Sequence, residues 1–260
     1  MEQFFAPALA VLLLSGVFVM LGIGGSSIFI PILTSLGISI KEAIMAGLFI
    51  NIVSTGLATS IFMHKGLFKF EDLKHSSLIL LGMVIAIPVG VWVSNLLSPN
   101  QLTGLFSAAL FILAIVMLRG SPKPKEHLSG KPGAKGSMQS HAILASIGGL
   151  AGLANGILGI GGGVFKVPSL IMHGMPARRA ARISIACTFI GSVYSFANHL
   201  VYTSPNFSLL AFVGGAAFIG SFAGSSLTAA GKVPENAIKN FFPLLLVAFA
   251  IKLASDFLAQ

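Results

Sequence analysis

The sequence predicts an all-α integral membrane protein made of two inverted-topology repeats. Each repeat has a Gly-broken helix pair, re-entrant or short, and three longer transmembrane helices. Three observations predict this: a composition too apolar for a water-exposed surface, a broken-helix motif that occurs twice, and the placement of the basic loops.

Of 260 residues, 55% are hydrophobic and 9% charged, with a mean hydropathy of +0.94. A soluble domain has about a quarter of its residues charged, so the partner of this chain is the lipid bilayer. The apolar runs are long and do not alternate, which excludes a transmembrane β-barrel and leaves helices. The net charge of +9 would invite a nucleic-acid reading in a soluble protein. Here the basic residues sit in short loops between apolar runs, so no nucleic acid is expected. The one cysteine, Cys187, lies in an apolar segment and leaves no disulfide and no cysteine-based metal site.

Apolar segments fall near 4–21, 26–36, 43–63, 76–96, 102–118, 142–158, 163–173, 180–200, 207–229 and 237–257. The first lacks a basic leader and a cleavage site, so it reads as a membrane helix. As a helix, 26–36 covers about 16 Å at ~1.5 Å per residue, roughly half of a ~30 Å hydrocarbon core. Ser39 with Glu42, and Ser98 with Gln101, have capping-box spacing and open the next two helices. Pro99 and Pro234 suit first helical positions. The stretch 119–140 is rich in Pro, Gly and Lys without periodicity, and is read as a flexible cytoplasmic linker. It separates a first repeat, 1–118, from a second, 141–260.

The halves resemble each other directly. "LGIGGSSIFIP" (Leu21–Pro31) and "LGIGGGVFKVP" (Leu158–Pro168) align at a shift of 137 residues, and eight of seventeen positions over 21–37 are identical. The basic loops decide the orientation. They are 64–75, 119–140, 174–182 and 230–239, whereas 97–101 and 202–206 have no basic residue. If the chain turns back at the glycines, each half makes an odd number of passes, the repeats invert, and all four basic loops lie in the cytoplasm with both termini outside.

Irregular backbone at membrane depth is tolerated where protein or a wet cavity surrounds it. Inverted repeats with interrupted helices place substrate at their interface. The glycine tips open half-helices near Ser26 and Gly163, whose first N–H groups have no intrahelical partner and carry the positive dipole end. Glycine lets such N–H groups form a concave nest for a small anion. The expected binding residues are therefore Gly24, Gly25, Ser26, Ser27, Gly161, Gly162 and Gly163, with Gly22 and Gly159 in the same motif. Polar residues of the following helices are added: Asn51 and Thr55, which align with Thr188 and Ser192 and stand one turn apart. Lys166 joins them as an intramembrane cation. Arg178 and Arg179 read as interface charges, and Gly47 and Gly82 as close-packing points. All seven acids fall near helix ends or in loops, so no carboxylate relay, metal site or cofactor is expected. A cytoplasm-negative potential drives anions outward by about 2.3 kcal/mol per charge per 100 mV.

On the paired "LGIGGSSIFIP" and "LGIGGGVFKVP" motifs and the basic central linker, the chain resembles the sulfite exporter TauE/SafE family, also called toluene sulfonate uptake permeases. Ser26 departs from the third glycine common there. The resemblance implies a plasma-membrane transporter, not an enzyme, for small sulfur-containing anions such as sulfite, sulfoacetate or organosulfonates. Substrate, direction and coupling stay open, as does the oligomeric state, a homodimer included. An anion channel and a membrane assembly or signalling protein are the rival readings.

Overall fold

The structure is a computed structural model and describes residues 5–20, 25–68, 72, 77–118, 138–172, 175–230, 247 and 250–255. The described residues are helical apart from short turns, and they include nine helices: α1 (Phe5–Met20), α2 (Ser26–Ser35), α3 (Ile40–His64), α4 (Ser77–Leu96), α5 (Pro99–Leu118), α6 (Met138–Leu158), α7 (Gly163–Met172), α8 (Ala177–His199) and α9 (Phe207–Ala229). Four of them, α3, α4, α8 and α9, are long and apolar enough to cross a membrane. Segments 119–137 and 231–246, with most of the expected linker and the basic residues Lys232 and Lys239, lie outside the described residues.

Local sequence accounts for the starts. Ser39 caps α3, its Oγ accepting from the Glu42 N–H at 3.4 Å and donating to Glu42 Oε2 at 2.9 Å. The Ser98–Gln101 box is reciprocal: Ser98 N–H donates to Gln101 Oε1 (2.9 Å) and Gln101 N–H to Ser98 Oγ (3.3 Å). Asn206 caps α9 by accepting from the Leu209 N–H. The two short helices keep the repeat spacing. Gly163 and Met172 lie 137 residues after Ser26 and Ser35, and Ala177 lies 137 after Ile40.

Packing follows the same exchange. The first helix of each half lies against the fourth helix of the other: α1 on α9, and α6 on α4. Both seams are made by glycine, because without a cohesive aqueous drive helices in lipid associate through close backbone approach. A methyl group built on Gly90 of α4 would stand 2.8 Å from Leu153 O, and one on Gly152 of α6 2.8 Å from Met83 Cα. Gly82 faces Ala145 O and Gly149 in the same seam, and Gly16 of α1 faces Gly220 and Gly224 of α9. Met83 opposite Gly152 and Gly90 opposite Gly156 show α4 and α6 running parallel. At the centre α3 packs on α8. Phe49 meets Phe196 with ring centroids 5.9 Å apart, and Gly56 lies against the Phe189 ring. As one chain ascends the other descends, so α3 and α8 run antiparallel. The buried cores wrap this central pair, and lipid-compatible residues such as Trp92, Ile85 and Phe207 cover the outside.

Candidate functional site

The start of α2 and the second glycine break are brought together by Asn51 of α3, which is fully buried. Its Nδ2 donates to Ser26 Oγ at 2.7 Å, and its Oδ1 accepts from the Ser26 N–H at 3.3 Å. On its other side Nδ2 lies so near the second break that a methyl group on Gly161 would stand 2.7 Å from it. Gly159, Gly161 and Gly162 have φ of +68°, +69° and +64°, a left-handed conformation open to glycine at no steric cost. This run turns the chain between α6 and α7 and aims the Gly161 carbonyl inward.

That carbonyl is met by Lys166, three residues into α7. Its Nζ donates to Gly161 O at 3.1 Å and to Thr188 Oγ1 at 2.8 Å, with Met83 Sδ at 4.0 Å. Lys166 is wholly buried, and among the described residues no carboxylate pairs with it. Described Glu42 bonds Ser39, and Asp72 bonds Arg179. Thr188 completes the turn by donating within reach of both Ser184 O (2.8 Å) and Gly161 O (3.2 Å). The result is a fully buried amine beside the start of α7, whose hydrogen-bond partners among the described residues are all neutral.

The expected residues divide. Ser26, Asn51, Gly161, Lys166 and Thr188 form the linked centre. Ser27 and Ser192 are buried with hydroxyls that have no hydrogen-bond partner among the described residues. Gly25 is the residue before α2 and packs under Phe18 and Phe29; Gly162 packs on Ala151, and Gly163 is the first residue of α7. Thr55 is buried, but its hydroxyl donates to Asn51 O at 2.5 Å within its own helix. Gly24 and Gly22 lie outside the described residues. The N–H groups expected to stand open at the tips are partly taken. The Ser26 N–H is held by Asn51 Oδ1, and the Gly161 N–H by Asn155 Oδ1 at 2.8 Å. A side-chain amide oxygen thus holds one of these N–H groups in each half.

Asn155 of α6 was not singled out from sequence. It is fully buried, its Nδ2 has no partner among the described residues, and its carbonyl accepts from Ser195 Oγ at 3.2 Å. Its signal is a single amide in the otherwise apolar "GGLAGLANGIL". Repeat alignment sharpens the point. Asn155 and Lys166 stand where the first half has Phe18 and Phe29, which pack edge to face at 5.4 Å. One half fills this space with aromatic rings, and the other with an amide and an amine.

Fold and centre together define a class: a multi-pass helical membrane protein whose short helices α2 and α7 begin beside one buried polar cluster. The chain belongs to the sulfite exporter TauE/SafE family, whose model matches residues 8–253. It is 30% identical over 187 residues to a probable membrane transporter protein of Methanocaldococcus jannaschii, spanning 67% of this chain and 65% of that relative. It is also 25% identical over 221 residues to the probable membrane transporter protein YunE of Bacillus subtilis, spanning 77% of this chain and 80% of the relative. No solved structure matches. The protein is therefore a transmembrane transporter of this family.

Proposed function

We propose that the protein carries a small sulfur-containing oxyanion, such as sulfite, sulfoacetate or another organosulfonate, out of the cell by alternating access. The carrying observation is Lys166, a buried amine whose contacts are a carbonyl, a hydroxyl and a thioether, with no described carboxylate beside it. A buried cation is costly unless paired. An oxyanion between the tips would supply the pair, taking the donors of Ser26, Ser27, Thr188, Ser192 and the N–H groups of Gly161 to Gly163 as Asn51 and Asn155 turn aside. Gly25 and Thr55 complete the pocket wall in this reading, and Gly24, outside the described residues, keeps the binding role expected from its motif. Sulfur oxyanions suit the site because their tetrahedral or pyramidal oxygens accept from several directions at once.

The repeats, 1–118 and 141–260, are inverted in this proposal, with 119–140 and the other basic loops cytoplasmic and both termini outside. Antiparallel α3 and α8 favour it, since these helices are repeat mates at the shared spacing. Rocking of one repeat on the other alternates access. Full burial of Asn51, Lys166 and Thr188 favours an occluding carrier over a continuous channel. The test is flux in proteoliposomes loaded with sulfite, thiosulfate, sulfate or sulfoacetate. A saturable, counter-transporting flux of one of them supports the reading; single-channel currents, or no flux of any, refute it.

A further inference from the structure

A second feature lies away from the centre. One pocket opens where the start of α3, the end of α4 and the end of α8 meet, lined by apolar Ile44 and by Lys41, Ser94, Asn95, His199, Tyr202 and Thr203. The polar lining is one ammonium with hydroxyls, an amide and an imidazole, and it holds no carboxylate. Nearby Glu42 is turned to Ser39. His199 forms the floor, its Nε2 at 2.9 Å from Gly156 O, one residue from Asn155.

From this floor a polar face runs down α8. Ser184, Thr188, Ser192, Ser195 and His199 recur at intervals of three or four, so they share one side of the helix. All five are buried. Ser195 bonds the Asn155 carbonyl, Thr188 bonds Lys166, and the Ser192 hydroxyl between them has no partner among the described residues. The face therefore runs along α8 from the pocket to the Lys166 centre.

The repeat mate of this end is closed. At the shared spacing, Phe62 of α3 stands where α8 has His199, and Ala58 where it has Ser195. Phe62 is 1% exposed. Over it Arg182 donates to Leu67 O, and Arg179 holds Asp72 Oδ1 through Nε (3.0 Å) and Nη2 (2.6 Å). One end of the central helix pair is open and lined by donors; the other is apolar and latched.

We propose that the pocket under Lys41 and Tyr202 is a second anion site, an antechamber for a small sulfonate or related oxyanion, joined to the centre by the polar face of α8. The proposal rests on the transporter reading above for its ligand class, and its test separates the two. Thr203→Cys is made in a Cys187→Ser background and labelled with thiosulfonate reagents of opposite charge, an anionic sulfonatoethyl and a cationic trimethylammonioethyl form. Ser94→Cys serves as a second reporter should Thr203→Cys fail to purify as a folded protein. The anionic reagent is expected to react roughly tenfold faster relative to the cationic one than it does with a free thiol, because a cationic cleft concentrates counter-ions. Lys41→Ala should abolish that preference, and sulfoacetate should slow labelling both with Lys166 present and in Lys166→Met. Absent labelling, or equal preference for the two reagents, overturns the antechamber. Protection by sulfoacetate that disappears in Lys166→Met also overturns it and leaves the central site standing. Protection that persists in Lys166→Met while central binding is unchanged by that substitution upholds the antechamber and removes the central reading instead.

Discussion

Replacing Lys166 with Met removes one charge and almost no volume. The structure indicates that the vacated partners stay satisfied. Thr188 Oγ1 stands 3.2 Å from Gly161 O and 2.8 Å from Ser184 O, and its one proton can turn to Gly161 O because Ser184 O also accepts a backbone N–H within α8. No orphaned acceptor is created, and a buried cation without a described carboxylate partner is exchanged for an apolar chain beside Met83. Such exchanges are neutral or stabilising. Thermal stability without ligand is therefore expected to equal or exceed that of the parent. Binding should behave oppositely. A unit charge about 4 Å from an anion contributes roughly 4 kcal/mol at an effective dielectric near 20, so Kd should rise about a thousandfold. The assay is ligand-induced thermal stabilisation across sulfite, thiosulfate, sulfate and sulfoacetate. An anion at a hundred times Kd stabilises the parent by about 2.7 kcal/mol, and at the same concentration it should leave the variant unmoved. Equal stabilisation of parent and Lys166→Met would refute the assignment of charge to this site. Unfolding of the ligand-free variant would refute the view that Lys166 is held at a cost to stability.

Gly161→Ala should lower stability by about 1–3 kcal/mol through its left-handed φ, and should weaken anion binding because the new methyl meets Asn51 Nδ2; denaturation with a binding titration checks both. Asn51→Ala leaves the buried Ser26 N–H and hydroxyl without their partner and should cost about 1–3 kcal/mol, read in chemical denaturation in detergent. Asp72→Asn breaks an ion pair whose arginine side chain is 40% exposed, so it should cost only about 0.2–1 kcal/mol, and the difference from the parent should shrink in high salt.

Much of the architecture was legible in the sequence because membranes simplify the problem. Every span must satisfy its own backbone, so apolar length alone locates helices. The run 207–229 coincides with α9, and 26–36 and 163–173 differ from α2 and α7 by one residue at the end. Caps shifted other starts: α3 begins at Ile40 rather than 43 because Ser39 and Glu42 nucleate the first turn among residues that hydropathy scores as loop. Repeat spacing singled out Gly161, Asn51 and Thr188, and a charge in an apolar run singled out Lys166; these residues lie together with Ser26, and their role in binding is the proposal above. Two features were not legible. Asn155 escaped because its repeat mate is Phe18, so symmetry gave no reason to weigh it. Thr55 looked equivalent to Asn51 one turn away, but a threonine in a helix satisfies its hydroxyl on the preceding turn. Spacing along a helix reports which face a residue shares, and it does not report where its hydrogen bond goes.

The most direct measurement is anomalous diffraction from crystals grown with selenite, the heavier congener of sulfite. The account expects a selenium peak between the two glycine breaks, with an oxygen within about 3 Å of Lys166 Nζ and the Asn51 or Asn155 amide displaced from its backbone N–H. A protein that transports sulfite yet binds selenium only elsewhere, with Lys166 still closed on Gly161 and Thr188, would contradict it.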